Sequence, residues 1–300
     1  EAGSIKQKEY AEFTQKPGEK YYYEFTLETE KVDRKSTLQL RATLSHNNTI
    51  RDIFDTEYAI YPEVTKLQCK GKRIGYVGNM QGYEMICELL PAEYIRDINA
   101  ERINTLHVLI LGPNYNGKLS EIQPVLNNYV INGGYLIVLE QQELALGDLT
   151  LSGKRFSKAF INNPDHTVFE GLTDQDFTYW DSPNTNEAKC RYAVENAFNK
   201  PVSGDCKILL HCGEGDFGWG GLLWSPMLEY RLGLGGLILN QLNIIEFFHE
   251  LPTAAKVLSN MIKYALEYVP ESKYPVLLAA DKESSTAGFI KDIGIEFELI

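Results

Sequence analysis

From Arg73 to Glu140 short apolar runs alternate with amphipathic helical runs, and no other feature of the chain narrows its fold so far. Arg73 to Gly78 reads as a strand, the run through Met85, Ile86, Leu89 and Leu90 as a helix, and Tyr94 to Ile98 as a second strand. Leu106 to Leu111 is a third strand. Ile122, Val125, Leu126, Tyr129 and Val130 then share one face of a helix closed by Asn132, Gly133 and Gly134, and Tyr135 to Leu139 is a fourth strand. Strands buried on both faces read as continuous apolar runs, and a helical crossover between neighbours returns the chain parallel and right-handed. The expected fold class is therefore α/β, a doubly wound parallel sheet. Ligands of such sheets lie beyond the carboxyl ends of the strands. That places any chemistry near Gly78 and Asn79, Gly112 to Asn114, and Glu140 to Gln142, positions poor in catalytic residue types.

A net charge of −12 sets repulsion against polyanions, so neither nucleic acid nor an anionic membrane is expected as a partner. No run approaches the roughly 18 apolar residues that span a bilayer. Three hundred residues exceed one ordinary core, and at 44% hydrophobic and 23% charged the composition is that of a globular chain, so two domains are expected. The chain opens without a basic, apolar leader, so any targeting peptide is expected outside it. Cys69, Cys87, Cys190, Cys206 and Cys212 show no paired metal-binding spacing, and their odd number excludes complete pairing within the chain. Buried thiols are the simpler reading, with a Cys190–Cys206 disulfide left open; no metal and no cofactor is expected.

Residues 1–62 follow a different period. Tyr21 to Leu27, Ser36 to Leu44 and Thr49 to Tyr61 alternate apolar with polar, separated by Lys16, Pro17 and Gly18 and by Ser45 to Asn48. Antiparallel strands with one wet face carry this pattern, so a partial β-sandwich is expected, its missing strands upstream of Glu1. Residues 63–72 read as a linker and 73–269 as the α/β domain. Within it the alternation lapses between Glu140 and Cys206. It returns with a strand at Cys206 to Cys212, a hairpin of Leu228 to Leu232 and Leu237 to Leu242 around Gly233 to Gly236, and a helix after Pro252. Residues 270–300 repeat strand, helix, strand, and are expected to begin a second α/β unit or to pack as a tail, the chain being a fragment of a longer protein.

Pro17 and Gly18 before an aromatic run, Leu38 to Leu44, and Asp55 to Pro62 resemble the closing strands of the sandwich in family 2-type glycoside hydrolases. Val108 to Gly112, Val130 to Val138 and Gly233 to Leu242 make residues 73–268 similar to class I glutamine amidotransferase-like, flavodoxin-type domains. Such domains occur in trehalose-utilisation-type proteins and as accessory domains of β-galactosidase-type enzymes. Active members place a cysteine in a Gly-x-Cys-x-Gly elbow after the strand matching Tyr135 to Leu139, with a His and a Glu from a later loop. Here that turn is Glu140, Gln141, Gln142 and Glu143. Neither a carboxylate nor an amide replaces a thiolate as acyl-transfer nucleophile. The resemblance thus implies a degenerate active site in a non-catalytic accessory region of a carbohydrate-degrading, β-galactosidase-like enzyme. It further implies the enzyme's other domains as partners, leaves an oligosaccharide and a homo-oligomer open, and implies a periplasmic or secreted location.

Two other readings stand beside it. One is a saccharide hydrolase with a carboxylate site around Glu140, Glu214 and Asp216, the last two in the glycine-rich turn Gly213 to Gly221, where a solvated turn is the plainer account. The other is a carbohydrate-binding module stacking sugar rings on Trp180, Trp219 and Trp224 with Tyr179, against which stands packing of the long insertion on the sheet. Asp174, Asp176 and Asp181 lack calcium-loop spacing. His211 and Cys212, consecutive in a strand, point to opposite faces and make no dyad.

Overall fold

The computed structural model describes residues 7–115, 117, 119–144, 149–178, 180, 192–202, 205–213, 221–270, 276–292 and 297–300. Near the amino end the chain turns at Lys16 to Glu19, where Gly18 adopts φ +83°. Tyr21 to Leu27, expected as a strand, has no strand structure and lies largely exposed. Strands β1 (Ser36–His46) and β2 (Thr49–Ile60) pair antiparallel through Asn47 and Asn48, both at positive φ as a tight hairpin turn requires. Their register collects Leu38, Leu40, Ala42, Leu44, Phe54 and Tyr58 on one face. The other carries the Gln39–Glu57 hydrogen bond and the two-pronged Arg41–Asp55 pair at 2.7 and 2.9 Å. Among the described residues the two strands form a ribbon, and no second sheet packs on its apolar face.

The α/β region begins with β3 (Ile74–Val77), α1 (Met80–Leu89), β4 (Glu93–Tyr94), α2 (Ala100–Ile103), β5 (Val108–Leu111), α3 (Leu119–Ile131) and β6 (Tyr135–Val138). Each expected strand and helix of this stretch is present, although the strand expected over Tyr94 to Ile98 shrinks to two residues. Beyond it lie β7 (Phe160–Ile161), two 3-10 turns at Thr167–Phe169 and Asp174–Phe177, β8 (Phe198–Asn199), β9 (Cys206–Cys212), β10 (Trp224–Leu232), β11 (Gly235–Asn240), α4 (Ile244–Phe247) and α5 (Pro252–Glu267). The strands build one nine-stranded sheet in the order β4-β3-β5-β6-β11-β10-β9-β7, with β8 beside β10. From β4 to β11 every pair is parallel; from β11 outward every pair is antiparallel. The sheet is thus mixed rather than wholly parallel. A hairpin at Gly233, φ +62°, reverses the chain where a helical crossover was not available.

Alternate residues of the central strands feed two cores. Tyr76, Val108, Ile110, Tyr135 and Ile137 face α1 and α5, whereas Val77, Leu109, Leu111, Leu136 and Val138 face α3. Tyr61 and, from the linker, Val64 and Leu67 pack on the first core, and the Leu67 N–H donates to the Leu89 carbonyl at 2.8 Å. The arm is further held at Asp176, which is buried. It accepts from Lys35 Nζ at 2.8 and 2.6 Å, from the Tyr61 hydroxyl, and from the Thr173 N–H at 2.7 Å. Beyond α5, β12 (Val276–Leu278), α6 (Ser285–Asp292) and β13 (Phe297–Leu299) make a separate parallel pair with its helix.

Candidate functional site

The crossover through α1 carries the chain from β3 to β4 on one side, while β5 lies on the other. The strand order therefore reverses between β3 and β5, the place where open α/β sheets bind ligands. A cleft of about 450 Å³ opens there, walled by Val77, Gly78, Asn79, Tyr94, Arg96, Asn114 and Tyr115 among others. Gly78 at φ +150° lets the chain leave β3 and enter α1, and the Tyr94 hydroxyl donates to its carbonyl at 2.8 Å. Asn79 caps α1, its Oδ1 accepting from the Gly82 N–H at 2.8 Å. Asn114, at φ +46°, donates its N–H to the Glu140 carbonyl. Among the described residues Arg96 has no ion-pair or hydrogen-bond partner.

Behind the Gly78 wall sits Tyr76, fully buried, with a hydroxyl that has no hydrogen-bond partner among the described residues. Its ring end fills a space that Gly78, Gly82 and Gly112 leave open; a Cβ on Gly82 or Gly112 would collide with it. Burial, reinforced by the Glu140 charge, holds this phenol above its ordinary pKa. Glu140 is partly exposed as a residue, yet its Oε2 is shut off from solvent and has no hydrogen-bond partner among the described residues. Burial pushes this carboxyl up to about 8; its own backbone N–H opposes the rise and the Glu246 charge adds to it. At neutral pH both groups are O–H donors.

The next residue is a clamp. Gln141 donates its Nε2 to the carbonyls of Gly112 and Leu139, each at 2.8 Å, and accepts the Tyr115 N–H on Oε1 at 2.9 Å. Gln241 beyond β11 reaches across, accepting the Gln141 N–H at 2.7 Å and donating to its carbonyl at 3.0 Å. Both side chains are buried and spend their polar atoms holding the ends of β5, β6 and β11 together. No nucleophile stands in this turn.

Glu214, Asp216, Trp219 and Tyr179 lie outside the described residues, as do Cys190 and Asp181. Trp180 is 2% exposed, packs between Phe177 and Phe247, and donates its indole N–H to the Asp176 carbonyl, so its face is closed to a sugar ring. Trp224, half-buried, lies against Phe156 under the Lys154 ammonium and donates to Asn199 Oδ1. Asp174 accepts the Ile161 N–H and Asp176 is engaged as described; among the described residues no group of three potential metal ligands converges. Cys212 is buried, which pushes its thiol up to about 12, and His211 pairs instead with Asn162.

A second polar centre lay outside the sequence reading. Glu229, 1% exposed, accepts from Tyr135 at 3.1 Å and Tyr264 at 2.6 Å, lies 3.4 Å from His166 Nε2 and 3.7 Å from Lys207 Nζ. His166 Nδ1 accepts the Val168 N–H, which leaves Nε2 to donate. Burial alone would raise the Glu229 carboxyl, but the hydrogen bonds from His166 and Tyr264, with the Lys207 charge, hold it below the ordinary carboxylate range. The centre joins β6, β10, α5 and the insertion. Glutamate in an amphipathic hairpin strand reads locally as solvated, so only its three-dimensional neighbours reveal it.

No family model matches the chain, and no curated protein matches it. Among solved structures it is similar to the cytoplasmic protein STM3548 of Salmonella typhimurium, at 10% identity and a TM-score of 0.40 over 76% of this chain and 95% of that one. It is also similar to the exo-beta-1,4-mannosidase Op5Man5 of Opitutaceae bacterium strain TAV5, at 12% identity and a TM-score of 0.38 over 65% of this chain and 36% of that one. The mmIFT52 N-terminal domain aligns at 11% identity and a TM-score of 0.40, over 67% of this chain and all of that domain.

Proposed function

We propose that this chain is a non-catalytic accessory region of a multidomain, β-galactosidase-like glycoside hydrolase, its flavodoxin-like α/β domain serving as a scaffold for the enzyme's other domains. The observation that carries the reading is the Gln141–Gln241 clamp: the turn where an amidotransferase relative holds its nucleophile is here occupied by side chains whose donors and acceptors are used up on backbone. The hydrolase context and a periplasmic or secreted location rest on the sequence resemblance alone. A carboxylate-based saccharide hydrolase is the competing reading, and the raised Glu140 carboxyl favours it, since a general acid needs a proton at working pH.

Glu140→Gln in the full-length enzyme separates the two. Turnover within twofold of the parent, with a melting temperature at neutral pH no lower than the parent's, is the expected outcome. A loss of about 10²-fold or more, the size of a missing general acid, refutes the scaffold reading.

A further inference from the structure

We infer that the Glu229 carboxylate is an acid-released latch: charged, it holds residues 163–177 of the insertion against α5, and its protonation frees that segment while the sheet stays folded. The inference goes beyond the scaffold reading and does not depend on it, because it concerns how one layer of the fold is fastened and not what the turn after β6 does.

Two basic groups converge on one oxygen of this carboxylate. His166 Nε2 lies 3.4 Å and Lys207 Nζ 3.7 Å from Oε2, while Oε1 accepts from the Tyr264 and Tyr135 hydroxyls. His166 belongs to the segment itself, Tyr264 to α5, Tyr135 to β6 and Lys207 to β9. The other ionisable groups around the centre are Cys206 of β9, Arg231 of β10 and Tyr268 just beyond α5. With side-chain exposures of 5% for His166 and 0% for Glu229, water cannot stand in for a lost partner. Protonating the carboxyl removes the anion that His166 and Lys207 share, so an imidazolium and an ammonium are left facing each other across it. A second proton on His166 also takes the lone pair with which Nδ1 accepts the Val168 N–H. Against the rise that burial alone would give, the hydrogen bonds from His166 and Tyr264 and the charges of His166 and Lys207 hold the carboxyl below the ordinary carboxylate range. The latch is therefore closed above that range and opens as pH falls through the depressed value.

The segment's other fastenings do not replace it. Asn260 Nδ2 donates to the Val168 and Glu170 carbonyls at 2.9 and 3.0 Å, contacts that carry no charge. Glu170 pairs with Lys263 at 2.7 Å, but both side chains are solvent-accessible, and such a pair contributes little. Asp176 faces the amino-terminal arm, through Lys35 and Tyr61. Phe169 meets Phe177 edge-on at 5.8 Å, and Trp180 stacks on Phe177, so the two 3-10 turns move together. Because Asp176 ties the arm to that same body, opening the latch also loosens the arm from the α/β domain.

The test is amide hydrogen exchange of the whole chain, followed segment by segment from about pH 7 to about pH 3 and corrected for the intrinsic effect of pH on exchange. Residues 163–177 should exchange about tenfold faster once pH is below the ordinary carboxylate range, while β3, β5 and β6 keep their protection. Glu229→Gln, which presents a neutral side chain at every pH, should show the faster exchange already at neutral pH, with little further rise on acidification. Lys207→Met keeps the carboxylate and removes one cation at a partly exposed position, so it should move the acid midpoint of the segment up by about half a pH unit even if Glu229→Gln does not fold. Asp176→Asn should leave that midpoint in place. The inference is overturned if the segment and the central strands lose protection together, if a folded Glu229→Gln exchanges like the parent, if Lys207→Met leaves the midpoint unmoved, or if Asp176→Asn abolishes the acid response.

Discussion

At the scale of single residues, Glu140 shows how position overrides chemical type. In water its carboxyl would be ionised at neutral pH, yet the end of β6 removes Oε2 from solvent and supplies no donor. Its proton is therefore retained up to about 8. The folded state binds a proton that the unfolded chain has released, so this residue's contribution to stability is complete below the ordinary carboxylate range. It declines as pH rises and is gone above about 8. Between pH 5 and 8.5 the parent should lose stability with a slope of at most about 1.4 kcal/mol per pH unit from this group, and Glu140→Gln should flatten that slope. Urea unfolding at both pH values checks it; parallel pH profiles for the two proteins would contradict the assignment.

At the scale of elements, α1 and β3 fit because three glycines yield to one tyrosine. Glycine inside a helix ordinarily costs about 1 kcal/mol against alanine, so Gly82→Ala would stabilise an isolated α1. Here the added methyl meets the Tyr76 hydroxyl inside a packed core. Gly82→Ala should therefore destabilise the protein by about 1–3 kcal/mol, the usual cost of overpacking. The same change in a Tyr76→Phe background should cost visibly less. Denaturant midpoints of the two single variants and the double variant decide it, and a stabilised Gly82→Ala would show that the ring moves aside freely.

At the scale of the whole molecule, the amino-terminal arm and the α/β domain are tied at Asp176, a carboxylate with side-chain exposure of 3% whose cation, Lys35, comes from 141 residues away. Asp176 is buried but Lys35 is 31% exposed, so losing the cation costs less than in a fully buried pair, about 1–3 kcal/mol. A chain shortened to begin at Tyr61 should lose stability on that order, and Asp176→Asn should restore much of the loss in the shortened chain while destabilising the full one. Equal unfolding midpoints for the full and shortened chains would sink this account.

The same scale separates what was legible from what was not. Strands and helices from Arg73 to Leu139, the hairpin at Gly233 and the helix after Pro252 were readable, because burying one face imposes a period on neighbouring residues and a turn demands its own residue types. The cleft's location followed too, since crossover handedness places it at the strand ends. The joining of β7 and β9 with the hairpin into the same sheet as β6, the Gln141–Gln241 clamp and the Glu229 centre were not readable. The clamp joins residues 100 positions apart and the Glu229 centre joins residues 35, 63 and 94 positions apart, and no local pattern encodes such a meeting. Local chemistry thus determined the elements and the absence of a thiol in the turn after β6. Tertiary packing alone decided which polar groups would be matched and which stranded, because those meetings join residues far apart in the chain.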